Sequence, residues 1–197
     1  MAQATREVQG VLLPAVGVWE LDPQHTTVEW VARHMLTKVR GRFRTFSGAI
    51  EVAEVPERSK VQVDMDAASI DSSTPDRDTH LRSADFLDVE RFPKLTFRSS
   101  KLRPTGQNTF DLEGELTIKD VTRPVTLQTE YLGLHDTPWG TKVAAFSAAT
   151  EIDREDFGLT WNVAIETGGW LVARQVRIEL EIEAVYKAQE EEQAKAS

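Results

Sequence analysis

The sequence predicts an all-β protein, built from one antiparallel sheet that closes into a barrel or folds into a sandwich. Two observations lead to this class. Apolar residues recur at every second position along most of the chain, as strands with one buried face require. Turn-forming residues separate these stretches at short intervals, which is typical of strands joined by hairpins. A chain of 197 residues with no visible linker or internal repeat fits one such domain.

The clearest strand lies near the C-terminus. Val176, Ile178 and Leu180 stand at alternate positions with charged residues between them. A helix would spread these charges around its circumference, so the pattern favours a strand. The same reasoning predicts eight or nine strands in chain order, at roughly 17–21, 26–33, 42–53, 60–68, 94–102, 109–118, 122–133, 142–153 and 173–186. The turns between them are marked by Asp22-Pro23, Val55-Pro56-Glu57, Pro104-Thr105-Gly106 and Thr137-Pro138-Trp139-Gly140.

One segment interrupts the β pattern. Residues 72–92 are long and charged, and Thr74 precedes Pro75 with acidic residues in the following turn. This arrangement is typical of a helix start. We therefore predict a helical insertion at about 75–90, with a helix at 75–83 and a second, shorter turn at 85–90. An insertion of this kind often covers the mouth of a barrel.

The two ends of the chain differ from this central domain, which we place at 17–187. Residues 1–16 are interpreted as an extended leader, because their apolar stretch is short, contains Pro14 and follows Glu7. Residues 188–197 form a polar, Glu-rich tail. With no recognisable export signal, we expect a cytoplasmic protein.

Composition excludes several function classes. The net charge of −9 argues against nucleic acid as a partner, and no apolar run is long enough for a membrane span. The absence of cysteine excludes disulfides, thiolate metal sites and a cysteine nucleophile. The four histidines show no zinc-ligand spacing, and no nucleophile or nucleotide-binding motif is present. We predict no metal and no cofactor.

A cluster of basic residues stands out against this acidic background. Residues 34–48 contain His34, Lys38, Arg40, Arg42 and Arg44. They either bind the polar head of a small ligand or form a solvated hairpin whose arginines pair with acids elsewhere. Because Arg40 and Arg42 alternate with Gly41 and a Phe, one row of arginines could face inward, and the pattern leaves both interpretations open.

Aromatic residues are spread over most of the predicted elements. A closed barrel of about eight strands has an interior that is filled by side chains or holds one apolar ligand. Composition does not choose between these outcomes. A small barrel with a helical flap and a basic rim is a sensible container for an amphiphile.

Several blocks, taken together, resemble the YceI-like proteins. They lie in the same order over roughly residues 18–186 and are 19–25 (WELDPQH), 33–43 (RHMLTKVRGRF), 77–97 (RDTHLRSADFLDVERFPKLTF), 114–125 (GELTIKDVTRPV) and 153–159 (DREDFGL). The resemblance implies an extended, antiparallel, eight-stranded lipocalin-like barrel whose cavity holds a long amphiphile. It also places His34, Arg40 and Arg42 near one end and Phe86 in the helical insertion.

From the residues and the resemblance together we predict the ligand contacts. They are His34, Arg40, Arg42, Phe43, Phe86, Phe97, Phe146 and Trp161. The expected ligand is a polyisoprenoid, an isoprenoid quinone or a fatty-acyl compound, bound for storage or transport without catalysis. Two rivals remain: an enzyme on a small isoprenoid or polyketide-like substrate with His34 or an Asp as the acid–base group, and a structural protein with a filled barrel. A homodimer is left open.

Overall fold

The computed structural model describes residues 5–8, 11–138, 140–164 and 171–187; the predicted polar tail at 188–197 lies outside them. The strands are β1 (Thr5–Val8), β2 (Val11–Pro14), β3 (Gly17–Leu21), β4 (Thr27–His34), β5 (Thr37–Phe43), β6 (Phe46–Val52), β7 (Lys60–Asp66), β8 (Ile70–Asp71), β9 (Lys94–Pro104), β10 (Thr109–Ile118), β11 (Val121–Asp136), β12 (Lys142–Asp153) and β13 (Val172–Lys187). The helices are α1 (Pro75–Arg82) and three short 3-10 turns, Pro56–Arg58, Ala67–Ser69 and Arg154–Phe157.

These strands form a closed antiparallel barrel. β3 and β4 pair with successive parts of β13, so they act as one long strand with a break between them. β5 and β6 form the next long strand in the same way, and β7 with β8 form the third. β9 to β13 then follow in chain order, and pairing of β12 with β13 closes the ring at eight strands. The predicted all-β, eight-stranded barrel with a short helical insertion is confirmed.

The period-two pattern decides which side chains face the interior. In β13, Val176, Ile178 and Leu180 point inward, and the charged residues between them lie on the outer face. The physical reason is that successive side chains of a strand point to opposite faces of the sheet. Every strand of the barrel therefore contributes one apolar row to the inside.

The barrel has two different ends. We call one the helical end, where the connections run through residues 34–37, 71–94, 118–121 and 153–172. We call the other the hairpin end, where the connections run through residues 52–60, 104–109 and 136–142. β1 and β2 form an antiparallel hairpin, and β2 lies against β11 near the hairpin end. The described part of the predicted extended leader is thus a two-stranded hairpin.

Polar contacts hold the helical insertion on the barrel. Asp78 is buried and accepts hydrogen bonds from the backbone N–H of Ser72, at 2.8 Å, and from its hydroxyl. Arg82 donates to the backbone oxygen of Ile70 at 2.6 Å. Thr74 stands at the N-cap, as predicted, but its side chain does not cap the helix; its hydroxyl accepts a hydrogen bond from Arg77 instead. A series of hydrogen-bonded turns follows over residues 83–92.

The strands β1, β2 and β8 were not predicted, and the predicted boundaries differ most from the structure in the region of β5 and β6. The strand expected at 42–53 is two strands, β5 and β6, separated at Arg44 and Thr45. At this break the backbone of Arg44 and Thr45 bonds to Ser69 and Asp66, in the segment that joins β7 to β8. β5 begins earlier than predicted, because its inward row contains Gly41 and so carries little apolar signal. Among the described residues, no helix is long and apolar enough to cross a membrane.

Candidate ligand-binding cavity

The interior of the barrel holds a cavity of about 820 Å³. Its wall is almost entirely apolar and includes residues from every strand from β4 to β13. Cavities of this size lie within the range of small-molecule binding sites. The barrel is therefore a container, and its side chains do not fill it.

Small residues keep the middle of the cavity open. Ala148 is buried in the cavity wall, where longer side chains would project into the space. Gly114 has a related role, because a Cβ atom there would lie 2.6 Å from Cζ of Phe97. The edge of the Phe97 ring therefore lies close to the backbone of β10 at Gly114. The polar side chains Thr129 and Thr150 are buried in the same wall.

An aromatic cluster closes much of the helical end. The imidazole of His80 lies 4.5 Å from the ring of Trp161 and 5.1 Å from that of Phe86, edge to face in both cases. Phe86 and Trp161 are 5.4 Å apart. Nε2 of His80 lies 2.9 Å from a carboxylate oxygen of Asp85, which orients the imidazole. All three rings line the cavity, so together they form a lid made from the insertion and from the segment after β12.

A second aromatic cluster lies toward the hairpin end. Phe146 is 5.3 Å from Tyr131 and 6.4 Å from Phe110, measured between ring centroids. Burial raises the pKa of Tyr131 to about 12, so its phenol is neutral at physiological pH. The two clusters bound an apolar chamber between them.

Arg154 is a buried cation beside the cavity, and its guanidinium is occupied by the backbone. It donates to the carbonyl oxygens of Leu159, Trp161 and Ala173, the last two at 3.1 and 2.9 Å. Burial lowers the pKa of Arg154, although an arginine stays charged at physiological pH. These bonds fasten the segment that carries Trp161 to the start of β13. Arg154 is thus a structural support of the lid.

The structure brings six of the eight predicted contacts to the cavity. The six that line it are His34, Phe43, Phe86, Phe97, Phe146 and Trp161. Arg40 and Arg42 lie on the outer face of β5, because Val39, Gly41 and Phe43 take the inward row. Nη1 of Arg40 is 2.8 Å from a carboxylate oxygen of Glu179 on β13. The pKa of Glu179 is lowered by hydrogen bonds from Arg177 and then from Arg40.

Among the lining residues that the sequence did not predict, His80 and Tyr131 belong to the two aromatic clusters. His80 is half-buried in the lid, although it is not among the predicted ligand contacts. Its mixed charged surroundings gave no apolar signal. Tyr131 continues the inward row of Val125, Leu127 and Thr129, so the alternation in β11 was a signal that could have identified it.

One set of metal-type ligands occurs among the described residues, at the break between β3 and β4. Donor atoms of Asp22, His25 and Glu183 lie within 4.8 Å of one another. Nδ1 of His25 is 2.7 Å from a carboxylate oxygen of Asp22, and the imidazole is exposed. The hydrogen bond from His25 lowers the pKa of Asp22, and the same bond raises the pKa of His25. This geometry is that of a turn stabilised by an ion pair.

Comparison with known proteins assigns the family. Residues 19–184 match the YceI-like domain. The chain belongs to the YceI-like family. A YceI-like relative, a UPF0312 protein of Azotobacter vinelandii, is 39% identical over 152 residues, which are 76% of this chain and 79% of the relative. Another UPF0312 protein, from Vibrio parahaemolyticus, is 36% identical over 137 residues, or 68% of this chain and 72% of the relative.

Solved structures share the YceI-like fold. BcnA of Burkholderia cenocepacia superimposes with a TM-score of 0.70 at 24% identity, covering 83% of this chain and 98% of that chain. The Campylobacter jejuni YCEI protein gives a TM-score of 0.69 at 25% identity, covering 79% and 90%. A polyisoprenoid binding domain from Saccharophagus degradans gives 0.67 at 14% identity, covering 88% and 100%. These similarities show that the present barrel shares its fold with the three solved structures.

Proposed function

We propose that this protein binds one long-chain amphiphile in its barrel, as a store or carrier, and does no chemistry on it. The observation that carries the proposal is the apolar cavity of about 820 Å³ inside the barrel, between two aromatic clusters. The ligand is a polyisoprenoid, an isoprenoid quinone or a fatty-acyl compound. Membership of the YceI-like family, and the similarity to a polyisoprenoid binding domain, support this ligand class.

Burial of the ligand's hydrocarbon chain supplies the driving force for binding. Each methylene group moved from water into an apolar site contributes about 0.8 kcal/mol. A chain that buries some fifteen methylene groups would gain roughly 12 kcal/mol, from which the cost of association is subtracted. Wall residues such as Leu112, Leu127 and Leu180 supply the apolar surface. Affinity should therefore rise with chain length until the cavity is full.

We place the polar head of the ligand at the helical end. Arg33, His34 and Arg77 line the cavity there, whereas the middle of the wall is apolar. Arg77 already donates hydrogen bonds to Ser72 and Thr74, and no carboxylate lies within ion-pair distance of the His34 imidazole among the described residues. His34 is thus the group we propose to contact the head directly.

The test is to identify and then restore the cargo. The purified protein is extracted with organic solvent, and the extract is analysed by mass spectrometry. The stripped protein is then titrated with a fluorescent fatty acid and with prenyl alcohols of increasing length. Recovery of a lipid, with saturable one-to-one uptake of the probes, is the expected result. An empty extract together with no uptake of either probe would overturn the proposal.

An enzyme is the second candidate, and the pairing of His80 with Asp85 at the mouth favours it. A histidine oriented by a carboxylate is a common acid–base arrangement. Incubation of the bound lipid with the protein, followed by mass spectrometry, separates the two functions. An unchanged lipid supports a carrier, whereas a product that disappears in His80→Gln supports an enzyme.

The cytoplasmic location and the homodimer stay predictions. Cell fractionation tests the location, and light scattering tests the oligomeric state.

A further inference from the structure

The turn between β4 and β5 exposes apolar side chains at the tip of a hairpin. Leu36 is 89% exposed and Met35 is 50% exposed. Turns of two residues favour Asn or Gly, because the backbone there requires positive φ. Met35 adopts a φ of +51°, so an apolar residue occupies a position where a small or polar one fits better. This turn therefore exposes apolar side chains at positions where most two-residue turns have small or polar residues.

A neighbouring segment adds to this surface. The backbone N–H of Met35 donates to the oxygen of Leu171 at 3.0 Å, and the N–H of Leu171 donates to the oxygen of Val163 at 3.0 Å. Val163 is 46% exposed. Met35, Leu36 and Val163 thus share one part of the helical end, and we call these three residues the apolar tip.

Two cations lie beside the apolar tip without an acidic partner. Arg33 and Lys38 are directly opposite each other in the β4–β5 ladder. Like charges in that position destabilise a sheet. Among the described residues, neither has a carboxylate at ion-pair distance, whereas Arg40 and Arg44 are paired with Glu179 and Asp71. Arg33 and Lys38 are therefore available to bind an external anion beside the apolar tip.

The apolar tip stands at the mouth of the cavity. Arg33, His34 and Leu171, which flank it, line the cavity. A surface that covers the tip would consequently face the opening. An amphiphile leaving that surface would have a short route past the aromatic lid.

We propose that the apolar tip docks the helical end onto the surface of an anionic lipid bilayer. The apolar side chains would enter the interface while Arg33 and Lys38 meet the phosphate groups, as in other peripheral proteins. This inference rests on the proposed function, since a carrier of amphiphiles has to exchange its cargo with a membrane. The net charge of −9 opposes contact with an anionic surface elsewhere on the protein, so docking is confined to the tip.

Acidic residues of the helical end limit how the protein can be oriented on an anionic bilayer. Asp71 forms an ion pair with Arg44, and Asp85 lies at hydrogen-bond distance from His80. Asp76 and Asp120 have no ion-pair partner among the described residues. The bilayer should therefore contact the side of the mouth formed by β4 and β5, away from the insertion.

The experiment is flotation of the full-length protein with vesicles of phosphatidylcholine containing increasing phosphatidylglycerol. Leu36→Asp and Lys38→Gln are compared with Val55→Asp and Lys101→Gln, which make the same changes at exposed positions of the hairpin end. Removal of one interfacial cation weakens binding about fivefold. We expect that loss for Lys38→Gln, a loss of at least about tenfold for Leu36→Asp, and wild-type flotation for both controls.

Cargo uptake is measured separately, in buffer without vesicles. All four variants should take up the fluorescent fatty acid like the wild type, because none of these side chains lines the cavity. Flotation that ignores phosphatidylglycerol content, or equal flotation of Leu36→Asp and Val55→Asp, would overturn the docking proposal while leaving cargo binding intact. Anion-dependent flotation lost only in the tip variants supports docking even if no probe enters the cavity.

Discussion

A substitution that fills the cavity should weaken ligand binding and stabilise the ligand-free protein. Ala148→Phe is such a substitution. Ala148 lies in the cavity wall opposite Thr129 and Leu180 of the neighbouring strands. The new ring adds six carbon atoms to the interior and displaces a similar number of ligand methylene groups. At about 0.8 kcal/mol each, the loss is about 5 kcal/mol. The Kd should rise on the order of a thousandfold.

The protein without ligand should respond in the opposite direction. Filling an existing space commonly contributes about 0.5–2 kcal/mol to the free energy of unfolding. For a chain of this size, each kcal/mol raises the Tm by roughly 2–4 °C. A stripped Ala148→Phe protein should thus melt a few degrees higher than the stripped wild type. Titration with a fluorescent fatty acid and thermal unfolding by circular dichroism measure the two effects.

The adjacent residue provides a matched control. Ala149 pairs with Gln128 and Glu179 on the outer face of the same strands. Ala149→Phe adds the same ring outside the barrel, so its Kd should equal that of the wild type. Unchanged affinity in Ala148→Phe would show that the ligand binds elsewhere. A lower Tm for Ala148→Phe alone would show that the interior has no spare volume, which contradicts the structural reasoning.

Three further substitutions and titrations test other parts of the structure. Gly114→Ala should destabilise the protein by about 1–3 kcal/mol in urea unfolding, because its methyl group would collide with Phe97. Arg154→Met should cost about 3 kcal/mol or more and speed hydrogen exchange after residue 157, since it releases several buried carbonyl groups. The imidazole of His25 should titrate in NMR above its ordinary pKa of 6.5, and Asp22→Asn should lower that midpoint. The stability that protonated His25 contributes is complete below 6.5 and is lost as the pH rises through its raised folded-state pKa.

A control variant or a reference value accompanies each of these three predictions. Gly106→Ala should cost less than Gly114→Ala, because the added methyl group meets only the Thr109 side chain and no backbone atom, whereas at Gly114 it also meets the backbone oxygen of Arg98. Arg174→Met removes an exposed cation that pairs with Asp153, and it should cost less than about 1 kcal/mol. If either control costs as much as its buried counterpart, the assigned contacts are not the cause. A His25 midpoint at or below 6.5 would contradict the ion pair with Asp22.

Local pattern was sufficient for the all-β fold class and for most of the strands. The alternation in β13 correctly predicts which residues face inward. A strand with apolar residues at every second position has one apolar face, and that face is the one buried in the barrel. Pro75 and the acids after it likewise predicted α1, since they suit the first turn of a helix. In β5 the charged row was visible, but Gly41 weakened the apolar row, so the sequence did not decide which row faces inward. The structure resolves it, because Gly41 makes room for the indole of Trp30 inside the barrel.

What the sequence by itself determined is the set of strands, their antiparallel order and the insertion, all of which depend on neighbours along the chain. Only the tertiary structure decided that the barrel encloses empty space. The volume left inside depends on how the inward-facing side chains of all eight strands pack across the barrel axis, and the sequence of one strand does not determine this packing. It also decided that Arg40 faces Glu179 outside while His80 closes the mouth. Both contacts join residues distant in the chain, whose distance is set by closure of the sheet.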